Sequence, residues 1–316
     1  MDKTKRCEKM IPLDRKEALK SGVYTCATTG SGKSCIAMYT AKKLMAITEA
    51  DNIVIDNALV KKVIVVVFDP SGDWMERSTV PHVIRVKHKV RLPIPEESTI
   101  FDISGLGIKE HQEIVEQFCK DLLKHQSETP KELRNNYFLF FEEGQICFPQ
   151  GILTAKRYQN TAKMMSVGRN KIFKVRFMCI TPFSSLIDKK AMRYMKQRYF
   201  GATDEPNDVE YITKFFPRKN REDVAVTLGS FEAGEFIYKY GKKAQHIQIR
   251  PFDEMNPPTP KIPQEYPSIS PIATTPQTEK RMRQKGNTKE GKALVSILIA
   301  LMWLMAIILA LTMRPY

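Results

Sequence analysis

Cysteine and histidine are scarce in this chain, with six cysteines and five histidines among 316 residues. No two cysteines form a C-x-x-C pair and the histidines are scattered, so a zinc site is not expected. Cys26, Cys147 and Cys179 lie within or just after apolar runs, where reduced cysteines usually pack in a core. This usage indicates a reducing, cytoplasmic compartment.

Acidic residues are also in deficit. Asp and Glu number 35 against 50 Lys and Arg, which leaves a formal net charge of +15. Such an excess predicts a polyanionic partner, either nucleic acid or an anionic membrane surface. The first residues, M-D-K-T-K-R-C-E-K, are highly charged, so a signal peptide is not expected.

Only one apolar run is long enough to cross a membrane. Residues 293–313 are unbroken except for Ser296 and Thr312, and a spanning helix needs about 20 such residues. The positive-inside bias predicts a single-pass, tail-anchored chain whose large N-terminal part lies on the cytoplasmic or virion-interior side. A buried core helix is the alternative, which an all-round apolar surface disfavours. The basic cluster before the run comprises Lys280, Arg281, Arg283, Lys285, Lys289 and Lys292.

A phosphate-binding loop is the most informative motif. Residues 27–34 read A-T-T-G-S-G-K-S directly after an apolar stretch. Small residues let successive N–H groups point inward, and a helix N-terminus adds partial positive charge. Lys33 is predicted to reach the β- and γ-phosphates of ATP, and Ser34 to ligate Mg²⁺. A chance loop is the alternative. The predicted nucleotide-binding residues are Ala27, Thr28, Thr29, Gly30, Ser31, Gly32, Lys33, Ser34 and Cys35.

A pair of carboxylates follows a second apolar strand. Tyr137–Phe141 runs directly into Glu142 and Glu143. Glu142 is predicted to hold Mg²⁺ through water, and Glu143 to act as general base toward the attacking water. Two surface glutamates that begin a helix are the alternative interpretation.

Strands alternate with helices along most of the chain, which predicts an α/β sandwich with a mainly parallel sheet. The run Val63–Val67 indicates a strand buried on both faces, and residues 189–198 are predicted to be helical. The predicted organisation is a lead-in over residues 1–20, an ATPase domain over 21–252, a Pro-rich then basic linker over 253–292 and a transmembrane helix over 293–313.

The motifs together resemble the HerA–FtsK superfamily of ring-forming, DNA-translocating P-loop ATPases with a RecA-like (ASCE) fold. The resemblance rests on the order of several pieces, of which the phosphate-binding loop is the most specific. After that loop come D-P-S-G-D-W at 69–74, I-F-D-I-S-G-L at 100–106, F-F-E-E-G-Q at 140–145, G-R-N at 168–170, E-P-N-D-V-E-Y-I at 205–212 and L-G-S-F-E-A-G-E-F-I at 228–237.

The chain departs from the family pattern at three points. The first glycine of the loop is Ala27, and glutamate stands at 142 where the family has aspartate. The family's sensor strand usually ends in [ST]-Q-[RT]-P, whereas this chain has C-I-T-P at 179–182. The resemblance assigns part of the γ-phosphate sensing to Thr181. It also implies a hexameric homo-oligomeric ring in which Arg169 reaches the neighbouring subunit's nucleotide.

Three functions remain open on the sequence. The first is a membrane-anchored motor that moves double-stranded DNA, for genome packaging or DNA transfer, with capsid or portal proteins as possible partners. Basic loop residues would then line a channel; the candidates are Lys156, Arg157, Lys171 and Lys174. The second is an assembly ATPase like those of filamentous phages and the zonula-occludens-toxin-like proteins. The third is a nucleotide-binding switch with negligible hydrolysis.

Overall fold

A ten-stranded sheet organises the part of the chain that the computed structural model describes, which is residues 11–151, 158–168, 170, 172–252 and 264–265. The strands are β1 (Val23–Cys26), β2 (Val54–Ile55), β3 (Ala58–Leu59), β4 (Val63–Asp69), β5 (His82–Arg85), β6 (Thr99–Asp102), β7 (Asn136–Phe141), β8 (Val175–Thr181), β9 (Gln197–Gly201), β10 (Glu235–Tyr240), β11 (Lys243–Gln248) and β12 (Gln264–Glu265). β2 and β3 pair separately as a short hairpin.

The spatial order of the large sheet is β11-β10-β9-β1-β8-β7-β4-β6-β5-β12. In that order, all neighbours from β9 to β12 are parallel, while β10 is antiparallel to both β9 and β11. β8 lies between β1 and β7, so the segments that follow these three strands meet at one edge. The α/β class with a mainly parallel sheet is confirmed.

The sheet is apolar on both faces. All seven residues of β4 are buried, as expected for a parallel strand between two layers. Ile64, Val66 and Phe68 join one core cluster, while Val65 and Val67 join the cluster on the opposite face. The sheet is therefore the middle layer of a three-layer sandwich.

Nine α-helices are present in the described residues. They are α1 (Arg15–Ser21), α2 (Lys33–Met45), α3 (Asp73–Arg77), α4 (Ile108–Glu128), α5 (Gly144–Cys147), α6 (Gln159–Val167), α7 (Lys189–Met192), α8 (Pro206–Thr213) and α9 (Arg221–Ser230). α1 and α2 cover one face, and α4 with α6 covers the other.

No helix within the described ranges is long and apolar enough to cross a bilayer. The predicted transmembrane run 293–313 lies outside those ranges, as does most of the predicted linker 253–292. Within the linker, β12 pairs in parallel with β5 at the edge of the sheet.

One predicted helix is wrong. Helical structure was expected over residues 189–198, but α7 ends at Met192 and Gln197 begins β9. Tyr199 and Phe200 are fully buried and contribute to opposite core clusters. Because burial on both faces of a sheet outweighs local helix propensity, this segment forms a strand beside β1.

Candidate functional site

The candidate site lies at the edge of the sheet where the parallel strands end. The phosphate-binding loop follows β1, Glu142 and Glu143 follow β7, and Thr181 is the last residue of β8. Carboxyl ends of neighbouring parallel strands form the crevice in which α/β proteins bind ligands. The fold thus brings together side chains that are far apart in the sequence.

The phosphate-binding loop connects β1 to α2 as predicted. Gly30 and Gly32 have φ angles of +83° and +96°, which glycine adopts without the cost of a Cβ. Gly32 caps α2, so the helix begins at Lys33. Thr29 and Gly30 are exposed at the tip of the loop, whereas Ser31 and Cys35 are buried.

Ala27, the departure at the first loop position, is accommodated by a glycine on the neighbouring strand. A Cβ built on Gly201 would lie 2.7 Å from the Ala27 Cβ, closer than two carbon atoms approach. Because Gly201 in β9 has no side chain, the Ala27 methyl group fits beside it. A hydrogen bond also holds the loop against the segment after β9: the Thr28 amide donates to the Ala202 carbonyl at 2.8 Å.

Lys33 closes the loop from inside. Its Nζ donates to the Thr28 carbonyl at 2.9 Å. Burial lowers the pKa of Lys33, and the charges of Cys26, Glu142 and Glu143 act in the opposite direction. The ammonium therefore lies within electrostatic reach of both glutamates, in a loop whose backbone favours anions.

Glu142 is buried beneath this loop. Trp74 Nε1 donates to its Oε1 at 2.7 Å, and Ser34 is a further hydrogen-bond partner. Burial raises the pKa of Glu142 to about 7, and the nearby Asp69 charge also raises it, while the Trp74 and Ser34 hydrogen bonds lower it. The paired hydroxyl and carboxylate oxygens of Ser34 and Glu142 are the hard donors that Mg²⁺ prefers, so these residues fit the predicted metal site.

Asp69 and Trp74 hold Glu142 in place, a role that the sequence reading missed. Asp69 accepts hydrogen bonds from the Ser71 amide and hydroxyl, the Gly72 amide and the Trp74 amide, at 2.8–3.1 Å. This turn points Trp74 inward, where its ring is fully buried against Phe140. The indole N–H is thereby directed at Glu142. In the sequence, the D-P-S-G-D-W motif is the only sign of this role of Asp69 and Trp74.

Glu143 has a strained backbone. Its φ and ψ angles are both +50°, in the left-handed region that non-glycine residues rarely adopt. The Gln145 side-chain amide donates to Glu143 Oε2 at 2.5 Å, and the Thr181 hydroxyl donates to Gln145 Oε1 at 2.7 Å. Gln145 thus joins the predicted base to the predicted sensor.

The remaining predicted residue, Arg169, lies outside the described residues. The same holds for the channel candidates Lys156, Arg157 and Lys171. Lys174 is described, and it lies at the opposite edge of the sheet, directly before β8. Lys33, Ser34, Glu142, Glu143 and Thr181 are the predicted residues that the fold brings to one place.

Neither a family model nor a curated protein matches the chain. Among solved structures, it resembles the genome packaging NTPase B204 from Sulfolobus turreted icosahedral virus 2 in complex with sulfate. The TM-score is 0.51 at 13% identity, over 72% of this chain and 96% of B204.

Two other similar structures are VirB4 of Thermoanaerobacter pseudethanolicus and the pCW3 conjugation coupling protein TcpA. VirB4 has a TM-score of 0.47 at 12% identity, over 78% of this chain and 94% of that one. TcpA has a TM-score of 0.42 at 13% identity, over 75% of this chain and 62% of that one.

The chain has a P-loop NTPase fold. The B204 likeness and the loop geometry agree on this, and the resemblance read from the sequence is confirmed at the level of the fold. At 13% identity the likeness to B204 shows the fold alone.

Burial of Glu142 predicts a pH-dependent loss of stability in the nucleotide-free protein. The unfolded glutamate releases its proton near 4.5 and the folded one near 7. Between these pH values the folded state binds more protons than the unfolded state, so raising the pH lowers the free energy of unfolding. The whole of this loss of stability is present above pH 7. Glu142→Gln has no carboxyl group to ionise, so at pH 8 it avoids a loss of folding stability on the order of 3 kcal/mol. We expect its melting temperature to exceed that of the wild type clearly at pH 8 and less at pH 5.

The measurement is thermal unfolding without nucleotide or Mg²⁺ at the two pH values. Glu143→Gln removes a less buried carboxylate at the same edge and is the matched control. A Glu142→Gln effect of the same size at both pH values would contradict the assignment.

Proposed function

We propose that the protein is a motor that hydrolyses ATP and uses the energy to move double-stranded DNA. The ATPase part of this proposal rests on one observation: the phosphate-binding loop lies next to two carboxylates at the end of a neighbouring part of the sheet. Lys33 lies within electrostatic reach of both glutamates, and Ser34 is a hydrogen-bond partner of Glu142. A loop lysine, a hydroxyl and two carboxylates of the kind that phosphoryl transfer to water uses therefore lie at one edge of the sheet.

The residues take separate roles in this reaction. Lys33 would leave the Thr28 carbonyl and bind the β- and γ-phosphates, together with the amides of the loop. Ser34 would hold Mg²⁺ directly and Glu142 through water, and the bound ion would neutralise charge on the phosphate oxygens. Water attacks the γ-phosphorus while the bond to the ADP oxygen breaks. Glu143 accepts the proton that the water loses.

A basic groove supports DNA as the partner. It is a cavity of about 680 Å³ at the edge of the sheet opposite the P-loop, next to the first residues of β4, β7 and β8. Burial lowers the pKa of Lys174, and the charges of Arg134 and Lys131 lower it further, as expected where cations gather. The groove's basic residues are Lys61, Lys62, Lys131, Arg134 and Lys174, with Glu132 as its one acidic lining residue.

The larger assembly belongs to the same proposal. A hexameric ring would let Arg169 of one subunit reach the nucleotide of the next, and the run 293–313 would anchor the ring in a membrane with the ATPase domain on the cytoplasmic or virion-interior side. B204, which shares the fold, is named as a genome packaging NTPase. That supports genome packaging over other forms of DNA transfer, with capsid or portal proteins as partners.

The test is phosphate release by the full chain, purified in detergent, with Mg²⁺ and with or without double-stranded DNA. We expect hydrolysis that DNA increases severalfold. Hydrolysis that is indifferent to DNA but rises with a coat or membrane protein would favour the assembly ATPase, and absent hydrolysis would favour the switch.

Lys131→Ala is expected to weaken DNA binding without changing the DNA-free rate of hydrolysis. One lost phosphate contact lowers the slope of log affinity against log salt by about one. The measurement is duplex binding by fluorescence anisotropy at several salt concentrations. Lys120→Ala, which removes an exposed lysine on α4 outside the groove, is the control. Equal losses in the two variants would show that the groove is not the DNA contact.

A further inference from the structure

We propose that Gln145 is a positioning residue for hydrolysis: its side-chain amide aims the Glu143 carboxylate and couples it to the end of β8 through Thr181. The inference rests on the proposed ATPase function and names a residue beyond the P-loop and the two glutamates. It is carried by a chain of hydrogen bonds between three side chains from two strand ends.

The chemistry of the partners sets the direction of this chain. A carboxylate can only accept, so the Gln145 NH₂ group must face Glu143. The Gln145 carbonyl then faces Thr181, whose hydroxyl donates to it at 2.7 Å, a shorter contact than the 3.2 Å to the Phe183 carbonyl. The Phe183 amide donates to the same hydroxyl at 3.0 Å. Linked donors of this kind polarise one another toward the carboxylate.

The arrangement leaves Glu143 able to act. Gln145 bonds to Oε2, and no other described residue has a hydrogen bond to Oε1 that would compete with an attacking water. An amide carries no net charge, and so it orients a carboxylate without the opposing charge that would weaken a general base. The strained backbone of Glu143 requires support of this kind, because a left-handed non-glycine residue costs about 1 kcal/mol or more.

Gly144 is what lets Gln145 reach Thr181. A Cβ at position 144 would lie 2.2 Å from Cys179 Sγ and 3.2 Å from the Ile180 carbonyl. With glycine there, α5 lies directly against the end of β8. The side chain of Ile180 is fully buried in an apolar cluster, so it supplies no polar group to the site. The side-chain amide of the site comes from Gln145, in the segment after β7.

The test compares Gln145→Ala with wild type in the full chain, with steady-state hydrolysis and equilibrium binding of a fluorescent ATP analogue. We expect kcat to fall about 10- to 100-fold, as for other lost positioning contacts, while KM and the analogue's Kd stay within about twofold. Gln112→Ala is the matched control. Gln112 Nε2 also donates to α5, at the Ile146 carbonyl, and is not part of the chain to Glu143.

A double-mutant cycle separates positioning from simple packing. If Gln145 acts through Thr181, Thr181→Val lowers kcat and the double variant is no slower than Gln145→Ala alone. Additive losses, an equal loss in Gln112→Ala, or a Gln145→Ala kcat within twofold of wild type or above it would overturn the inference while leaving the ATPase proposal intact. Absent hydrolysis in the wild type would overturn both.

Discussion

Glu143→Gln is expected to slow ATP hydrolysis by at least about 100-fold, because a positioned general base contributes roughly 10² to 10⁴ to the rate. The glutamine keeps the size of the side chain but cannot take a proton from water. ATP affinity should change little, since the phosphates bind Lys33 and the loop amides. Single-turnover phosphate release and equilibrium binding measure the two effects separately.

A matched carboxylate far from the site provides the control. Glu128→Gln changes the same functional group at the exposed end of α4 and should hydrolyse ATP like the wild type. Hydrolysis by Glu143→Gln at more than a tenth of the wild-type rate would remove Glu143 from the role of base. Glu142, whose carboxylate faces Ser34, would then become the candidate.

Lys33→Ala is expected to abolish hydrolysis and to weaken ATP binding by roughly 10- to 100-fold. Hydrogen bonds to charged groups contribute about 1.5–3 kcal/mol, and the ammonium is the P-loop side chain that would meet the β- and γ-phosphates. The nucleotide-free protein should not be destabilised, because burial of this ammonium already opposes its charge. Its melting temperature should therefore stay near that of the wild type, whereas the stabilisation by added ATP should be smaller than in the wild type at the same ATP concentration.

Lys120→Ala again serves as the comparison, since it removes an exposed lysine on α4. The decisive observation is the ATP-dependent shift in melting temperature. A Lys33→Ala protein that melts at a higher temperature with ATP, by as much as the wild type does, would show that ATP binds elsewhere.

The fold could be predicted where the sequence carries a local signal. Residues 63–68 of β4 and 137–141 of β7 are apolar without interruption, as expected for strands between two layers, and both strands are central in the sheet. The P-loop could be read from its spacing, because each glycine and the lysine has a fixed role there. β9 could not, since its sequence Q-R-Y-F-G is no more strand-like than helical until β1 lies beside it.

The side chains that complete the site could not be predicted because they meet through tertiary contacts. Trp74 and Glu142 are 68 residues apart, and Gln145 and Thr181 are 36 apart. No spacing rule links such pairs. Trp74 is fully buried, and its indole N–H has a polar partner that only the fold reveals.

The most direct test of the proposed motor is displacement of a third strand from a DNA triplex in the presence of ATP and Mg²⁺. A protein that moves along the duplex strips the third strand at a rate that depends on ATP. We expect ATP-dependent displacement by the full chain, and none by Glu143→Gln with ATP bound. Robust ATP hydrolysis without any displacement would contradict DNA movement as its function.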